Sequence, residues 1–484
     1  MSDWRAGLRS LIDQGVDVRR LVSDSRRLSP GDVFVAMPGE RHDPRLNIGE
    51  AVVAGAAAVI YEAVGFAWQT EWRVPHLAVK SLRDVLGGLA SDALSHPSRQ
   101  LWMAGVTGTN GKTSCSHWLA QCLTKLGRPS ALIGTLGNGF PGELQAATHT
   151  TPDVVALHVM LADYLAHGAQ AVAMEVSSHG LDQGRVAGVE FNAALFTNLT
   201  RDHLDYHGDM QRYGNAKRAL FHWPTLEHAV VNLDDDFGVD LAASLDRQRL
   251  KVMGYGIGKG EIAAHRLDLS RHGLRLEIQT PWGKSELESR LVGAFNASNL
   301  LGVLGMLLAA GVRLPEATSV LAEVDPVAGR LQVVRETSGP MVVVDYAHTP
   351  DALEKVLMTL ASIKPSSGRL YCVFGCGGDR DPGKRPLMGE IATRLADEVY
   401  ITSDNPRAES PRRILEDIVA GAGANHRVQE DRALAIREAI QKADANDIVL
   451  IAGKGHETYQ EVSGTRYPFD DVAVAREILR GCHV

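Results

Sequence analysis

The stretch LWMAGVTGTNGKTSCSHW, residues 101–118, decides how the chain is read. LWMAGV at 101–106 reads as a strand, and the segment after GTNGKTS reads as a helix. Between strand and helix, successive backbone N–H groups and the helix N-terminus can hold phosphate oxygens. In GVTGTNGKTS at 105–114, Gly108, Thr109, Asn110 and Gly111 form the turn and Lys112 can reach terminal phosphates. Thr113 or Ser114 can offer a hydroxyl to Mg²⁺. The spacing departs from a strict P-loop once, because Val106 stands where the first Gly belongs. A glycine turn of purely structural use is the competing reading; the strand context, Lys112 and the two hydroxyls weigh against it. ATP is the expected co-substrate and Mg²⁺ the expected cofactor, with the reaction left open.

Working outward, the run AVAMEV ends in a carboxylate, Glu175, at the edge of a sheet where ligands bind in open α/β folds. The loop TNLTRDHLDYHGD at 197–209 gathers Asp202, His203, Asp205 and His207. Such a cluster can be hydrogen-bonded loop scaffolding, or a metal site given the P-loop and Glu175 nearby. Lys217 follows in the helical YGNAKRALF, where its residues alone suggest an exposed lysine.

Strand-like runs alternate with helical patterns along most of the chain, the pattern of an α/β protein with largely parallel sheets. We expect three domains. Residues 1–98 form the first, with strand VFVAM at 33–37 and a helix-to-strand segment at 51–61. Residues 99–328 form a central nucleotide-binding domain with further strands at 171–176, 193–197 and 229–232. A few antiparallel strands at 249–292 extend it, turning at His272-Gly273 and Pro281-Trp282-Gly283, and a helix follows at 296–311. Residues 329–484 read as a C-terminal Rossmann-like domain, with strands at 341–345, 369–374, 397–402 and 447–452 and helices at 350–363, 384–396, 411–420, 432–443 and 471–481.

At 484 residues, with 45% hydrophobic and 22% charged residues, the chain can bury several cores. Its formal net charge of -8, without a clustered Lys/Arg excess, argues against general nucleic-acid binding. Five cysteines, Cys115, Cys122, Cys372, Cys376 and Cys482, make no CxxC pair, which suggests a reducing compartment; Cys372 and Cys376 read as structural. No run approaches the roughly 18 apolar residues of a membrane span and the first residues lack a signal-peptide core, so a cytoplasmic location is expected.

GTNGKTS, EVSSHGLDQGR, NLTRDHLDYHG and AKRALF together closely resemble the Mur ligases of peptidoglycan synthesis. The likeness continues through SDSRRLSPGDVFVAMPG (23–39), GAFNASN (293–299), GRLQ (329–332), DYAHTPDAL (345–353), GCGGDRDPGKRPLMG (375–389), SDNPRAESP (403–411) and GKGHETYQ (453–460). It implies an ATP-dependent, three-domain ligase that activates a carboxylate as an acyl phosphate. Within the family, the motifs resemble the ligases adding the third peptide residue, whose partners are a UDP-MurNAc-dipeptide, ATP and a diamino acid.

Residue by residue, the resemblance places Lys112 at the ATP phosphates, Thr113 and Glu175 at Mg²⁺, His203 at a second Mg²⁺, and Lys217 at the lysine the family carbamylates. It places Ser25, with the region of His42 and Asp43, near the UDP; HDPR at 42–45 departs from the family, which has Gly after the Asp. Thr150, Thr151, Ser177, Gln183 and Arg185 match contacts to the muramoyl-dipeptide. Asn296 and Arg330 match nucleotide contacts, and Asp345 and His348 match groups that approach ATP.

The choice of amine turns on DNPR at 404–407. Diaminopimelate carries a second carboxylate beside its distal amine, and the planar fork of Arg407 suits it. Asp404 and Asn405 are available to the ammonium, with Pro406 between them and Arg407; Arg380, Gly453 and Glu457 match the remaining contacts. Taken alone, DNPR could be only a turn. Two other readings compete: a folylpolyglutamate-type ligase, disfavoured by SDSRRLSPGDVFVAMPG, and a non-catalytic nucleotide-binding regulator, disfavoured by Lys112, Glu175, His203 and Lys217. The expected oligomeric state is a monomer, with no membrane partner.

Overall fold

A computed structural model describes residues 4–39, 42–334, 336 and 339–481; Cys482 lies outside them. The chain divides into two compact units, one of Met1–Ala264, Gln279–Ser285 and Asn299–Leu321, the other of His265–Ile278, Glu286–Ser298 and Ala322–Val484. The fold is α/β, and most strand pairs are parallel.

The first unit holds two sheets. Leu21–Val22, Val33–Ala36, Ala58–Glu62 and His76–Val79 pair in that order, all parallel. Strands buried on both faces read as continuous apolar runs. Accordingly Val33, Val35 and Ile60 pack against Leu82, Leu86 and Leu89, while Phe34, Val59 and Tyr61 face Phe66, Trp68 and Trp72. Val154 and Val155 of the helix Val154–Ala166 join the former cluster, and Ser23 Oγ donates to Asp153 Oδ1 (3.0 Å) at that helix's N-cap.

In the larger sheet the P-loop strand Trp102–Thr107 lies between Ala171–Glu175 and Ala193–Phe196, parallel to both. Val106 pairs with Glu175, so the carboxylate sits beside the start of the loop. Outward on one side come Ser130–Gly134 and the antiparallel edge Gly137–Phe140 and Glu143–Gln145, an edge not anticipated from sequence. On the other come His228–Asn232 and Lys251–Ile257. The antiparallel expectation for 249–292 fails at its start: Lys251–Ile257 pairs parallel with His228–Asn232, because the helix Asp236–Ser244 makes a crossover. Ile262–Ser270 follows after four residues and also pairs parallel with Lys251–Ile257; Gly273–Thr280 and Gly283–Ser289 then follow across two-residue turns.

The second unit is built on a sheet ordered Gln332–Val334, Met341–Asp345, Ile448–Ala452, Leu370–Phe374, Glu398–Ile401 and His426–Val428, antiparallel only at its first pair. Asp345 pairs with Ala452, Ala452 with Phe374, and Phe374 with Ile401. Four strands therefore end at one level, and DYAH, GKGHE, GCGGDRD and SDNPR all leave the sheet from the same carboxyl edge. Open α/β sheets bind ligands there. Among the described residues no helix is long and apolar enough to cross a membrane.

Candidate active site

In the first unit, Gly108 has φ 150°, and a Cβ there would lie 1.9 Å from Thr197 Oγ1. Gly111, φ 86°, caps the helix Lys112–Lys125. No other residue type suits such positions without strain. The loop is tied to the next strand's end: Asn198 O accepts from Thr109 N (2.8 Å) and Asn198 Oδ1 from Asn110 N (2.9 Å). Lys112 Nζ folds back onto Gly108 O and Thr109 O (2.9 and 2.8 Å).

Glu175, 1% exposed, is held from two sides. Thr113 Oγ1 donates to Oε2 (3.0 Å), and Thr135 donates to Oε1 through its N–H (2.8 Å) and to Oε2 through its hydroxyl (3.1 Å). Thr150 Oγ1 lies 3.1 Å from Thr135 Oγ1. Thr151 Oγ1 donates to Glu175 O and lies 3.0 Å from Ser177 Oγ, which caps the short helix Ser178–Asp182. Arg185 reaches Thr151 O (2.9 Å) and Gln183 Oε1 (2.9 and 2.6 Å). The structure thus joins Thr113, Thr150, Thr151, Ser177, Gln183 and Arg185 to Glu175 in one hydrogen-bonded chain.

Lys217 is not the exposed lysine its helix suggests: it is 1% exposed, and Nζ donates to Gly108 O at 2.8 Å, the carbonyl that Lys112 also meets. Burial first, and the charge of Lys112 second, push its pKa well below the ordinary lysine value. Burial also lowers His203, with Lys112 and Lys217 acting in the same direction against Asp202. The His203 ring stands 4.8 Å from that of His179, which is 5.4 Å from His207. The seemingly scattered loop of 202–207 is a short helix, Leu204–His207, entered through left-handed His203 (φ 52°).

Sequence reasoning missed Thr135, Asn198, Tyr213 and Asn299 around the loop. Tyr213 OH is 3.1 Å from Thr109 Oγ1, and Asn299 Oδ1 lies 2.5 Å from where a Cβ on Gly111 would sit. Ser25 lies in a short 3₁₀ turn capped by Asp24. Asp43 is engaged by Arg45 (2.7 Å), whose guanidinium also lies over Phe66 and donates to Val64 O (2.7 Å). His42 Nε2 is 2.9 Å from Asn47 Oδ1.

In the second unit, buried Asn296 donates to Val292 O (2.9 Å). Asp345 accepts from Leu331 N and Ala347 N (2.7 and 2.8 Å), which fixes the turn presenting Arg330 over the Tyr346 ring; burial raises the Asp345 pKa. His348 Nδ1 lies 2.9 Å from Tyr346 O, and Lys384 donates to His348 O.

DNPR is more than a turn. Arg407, φ 52°, donates through Nη1 to Gly378 O (2.8 Å), and its backbone pairs with Val462 of an unforeseen hairpin, Tyr459–Val462 and Thr465–Pro468. Asp404 lies beside Gly453, where a Cβ would approach Oδ2 to 2.6 Å. Asn405 Nδ2 donates to Glu457 Oε2 (2.7 Å). Arg385, missed in the sequence, latches this loop to GGDRD: it pairs with Glu409 (2.8 Å) and Asp417 (2.9 Å), and Glu409 also accepts from Asp379 N (2.6 Å). Arg380 is exposed and touches Asp379 O (3.2 Å). Cys372 and Cys376 are buried, the latter against Met388 Sδ (3.6 Å).

The chain as a whole is similar to known proteins. Residues 106–307 match the Mur ligase middle domain and residues 329–455 the "Mur ligase, glutamate ligase domain". It is 53% identical over 481 residues to the UDP-N-acetylmuramoyl-L-alanyl-D-glutamate--2,6-diaminopimelate ligase of Chromobacterium violaceum, covering 99% of this chain and 97% of that protein. A solved structure of an enzyme of that name aligns with TM-score 0.71 and 37% identity over 96% of this chain and 95% of its own. The Mycobacterium tuberculosis folylpolyglutamate synthase shares the fold, with TM-score 0.62 at 20% identity over 81% of this chain and 94% of its own.

Proposed function

The chain belongs to the Mur ligase family, a family of ATP-dependent amide-forming ligases, and from that premise we propose that it joins meso-diaminopimelate to UDP-MurNAc-L-Ala-D-Glu in the cytoplasm during peptidoglycan precursor synthesis. Three functional domains, 1–98, 99–328 and 329–484, divide the task among UDP-sugar, ATP and amino acid. The observation that carries the choice of reaction is 53% identity over nearly the full length. That same extent, reaching through SDSRRLSPGDVFVAMPG, disfavours a folate substrate.

The γ-carboxylate of the D-glutamyl residue attacks the γ-phosphorus of ATP, giving an acyl phosphate and ADP. Lys112 stands on the phosphate loop to neutralise charge in that step. The diaminopimelate amine then attacks the acyl carbon and phosphate leaves. Thr150, Thr151, Ser177, Gln183 and Arg185 orient the dipeptide, whereas Asn296, Arg330, Asp345 and His348 bind the nucleotide.

The donors fit Mg²⁺, an oxygen-seeking cation: the Thr113 hydroxyl and the Glu175 carboxylate already meet, and burial lowers the His203 pKa, which favours the neutral ring that ligates metals. Bound there, the ion would supply Lewis-acid neutralisation of phosphate charge. Lys217 supports a further ligand. Burial and the charge of Lys112 lower its pKa, which favours the free amine over the ammonium; the free amine can attack CO₂ and, on losing a proton, become a carbamate whose oxygens would offer ligands where an ammonium repels the cation.

Arg407 grips the distal carboxylate of diaminopimelate, with Arg380, Asp404, Asn405, Pro406, Gly453 and Glu457 around it. The test is phosphate release with Mg-ATP, bicarbonate and UDP-MurNAc-L-Ala-D-Glu, offering meso-diaminopimelate or L-lysine. Release with diaminopimelate and the mass of the tripeptide product are expected. Preference for lysine would overturn the reading of Arg407; release with neither amine would overturn the substrate.

A further inference from the structure

Lys454, in the GKGHE loop between Gly453 and Gly455, has a fully buried side chain. Its ammonium donates to Asn405 Oδ1 (3.1 Å) and Glu457 Oε2 (3.2 Å). Asn405 Oδ1 also accepts from Glu461 N (2.9 Å). Two donors on one side of this amide leave only one orientation, with Nδ2 turned to Glu457 Oε2 at 2.7 Å. Lys454 and Asn405 thus load the same oxygen of Glu457; among the described residues no donor meets the other, Oε1, which can accept from a bound amine. Asp404 is buried and the Glu457 side chain 18% exposed; Lys454 pairs with Glu457 and, with buried Arg432, supplies positive charge beside the two carboxylates.

We propose that Lys454 is a positioning and specificity residue for the distal end of the incoming diamino acid, acting through Asn405 and Glu457 rather than by touching the reacting atoms. This rests on the assignment of the pocket to diaminopimelate. Diaminopimelate brings two ammonium and two carboxylate groups, so its ammonium at Glu457 is matched by a carboxylate at Arg407. Lysine brings one carboxylate fewer and carries net positive charge. Lys454 makes the pocket less negative, which penalises the amino acid with excess positive charge and favours the balanced one. Its removal takes one of the two donors from Asn405 Oδ1, weakening the hold on that amide, and leaves Glu457 less neutralised, a change that favours lysine.

The test measures KM and kcat for each substrate in the full-length enzyme, with K454M and K454R beside the wild type. In K454M the KM for diaminopimelate rises about tenfold to a hundredfold, the scale of a buried charged partner left unpaired. The KM for ATP and for the UDP-dipeptide stays within about twofold, and the kcat/KM ratio of diaminopimelate to lysine falls. K454R, which keeps the charge but not the point geometry, lies between. Unchanged diaminopimelate KM in K454M, or a joint rise of all three KM values with a lowered melting temperature, overturns the role of Lys454. If K454M does not fold, K454R decides: a wild-type KM for diaminopimelate and wild-type selectivity would sink the proposal. A wild-type enzyme that prefers lysine would instead overturn the pocket assignment on which the role rests.

Discussion

The P-loop site and the DNPR pocket contain similar ingredients, cations and carboxylates on loops at a sheet's carboxyl edge, but they are organised differently. Around the P-loop the backbone does most of the holding. Gly108 O alone receives Lys112 and Lys217, and Gly108 and Gly111 adopt positive φ where a Cβ would collide with Thr197 or Asn299. In the DNPR pocket side chains do it. Arg385, Glu409, Lys454 and Asn405 tie together loops that are 24 to 49 positions apart in sequence. A phosphate is recognised by a repeated backbone donor array, which suits many nucleotides. Discriminating between two diamino acids, the role proposed for the DNPR loops, needs individually placed charges, and tertiary contacts place them there.

The largest expected effect breaks the first site: Lys112→Met lowers phosphate release about a thousandfold, as loss of a transition-state donor does. It also removes a charge that depresses Lys217, so the pH at which Lys217 reacts with an amine reagent rises in that variant. Next, Arg407→Ala reduces kcat/KM for diaminopimelate about a hundredfold with little change in the KM for ATP. Equal loss of both would erase the contrast between the sites.

Arg385→Met takes the guanidinium from Glu409 and Asp417, both partly exposed and able to turn to water; about 2 kcal/mol of stability is lost in denaturant titration. A KM for diaminopimelate that does not rise with that loss would show the latch to be irrelevant to binding. The smallest effect is a pH dependence. Burial pushes His456 from 6.5 down to about 4. The unfolded chain therefore takes up the proton first, so this residue's contribution is complete above about 6.5 and is lost as pH falls toward 4. His456→Gln should remove about 1 kcal/mol of that acid-side loss in melting experiments, after discounting for solvent screening.

Much of this was legible from residues alone. The helices at 350–363 and 471–481 fall where their periodicity places them, and the strand at 341–345 likewise, since an apolar run bounded by turn residues has little choice of element. The hairpin Tyr459–Pro468 was illegible because it has no buried face to impose alternation: its first strand is half-buried and its second exposed. The parallel pairing of Lys251–Ile257 was misread for a related reason, since alternation reports burial and not the direction of a partner strand.

By itself, the sequence determined which loops carry chemistry. Glycines at 108 and 111, Lys112 and the carboxylate closing AVAMEV act through neighbours a few bonds away, and local backbone geometry is written in local residue types. Only the tertiary structure decided which charges lose their water. Lys217 looks like an ordinary surface lysine in its own segment, yet it is enclosed beneath Gly108, and Lys454, which sequence reasoning passed over, is enclosed beside Asn405 and Glu457. Desolvation depends on everything packed around a group, and those neighbours come from strands far apart in the chain.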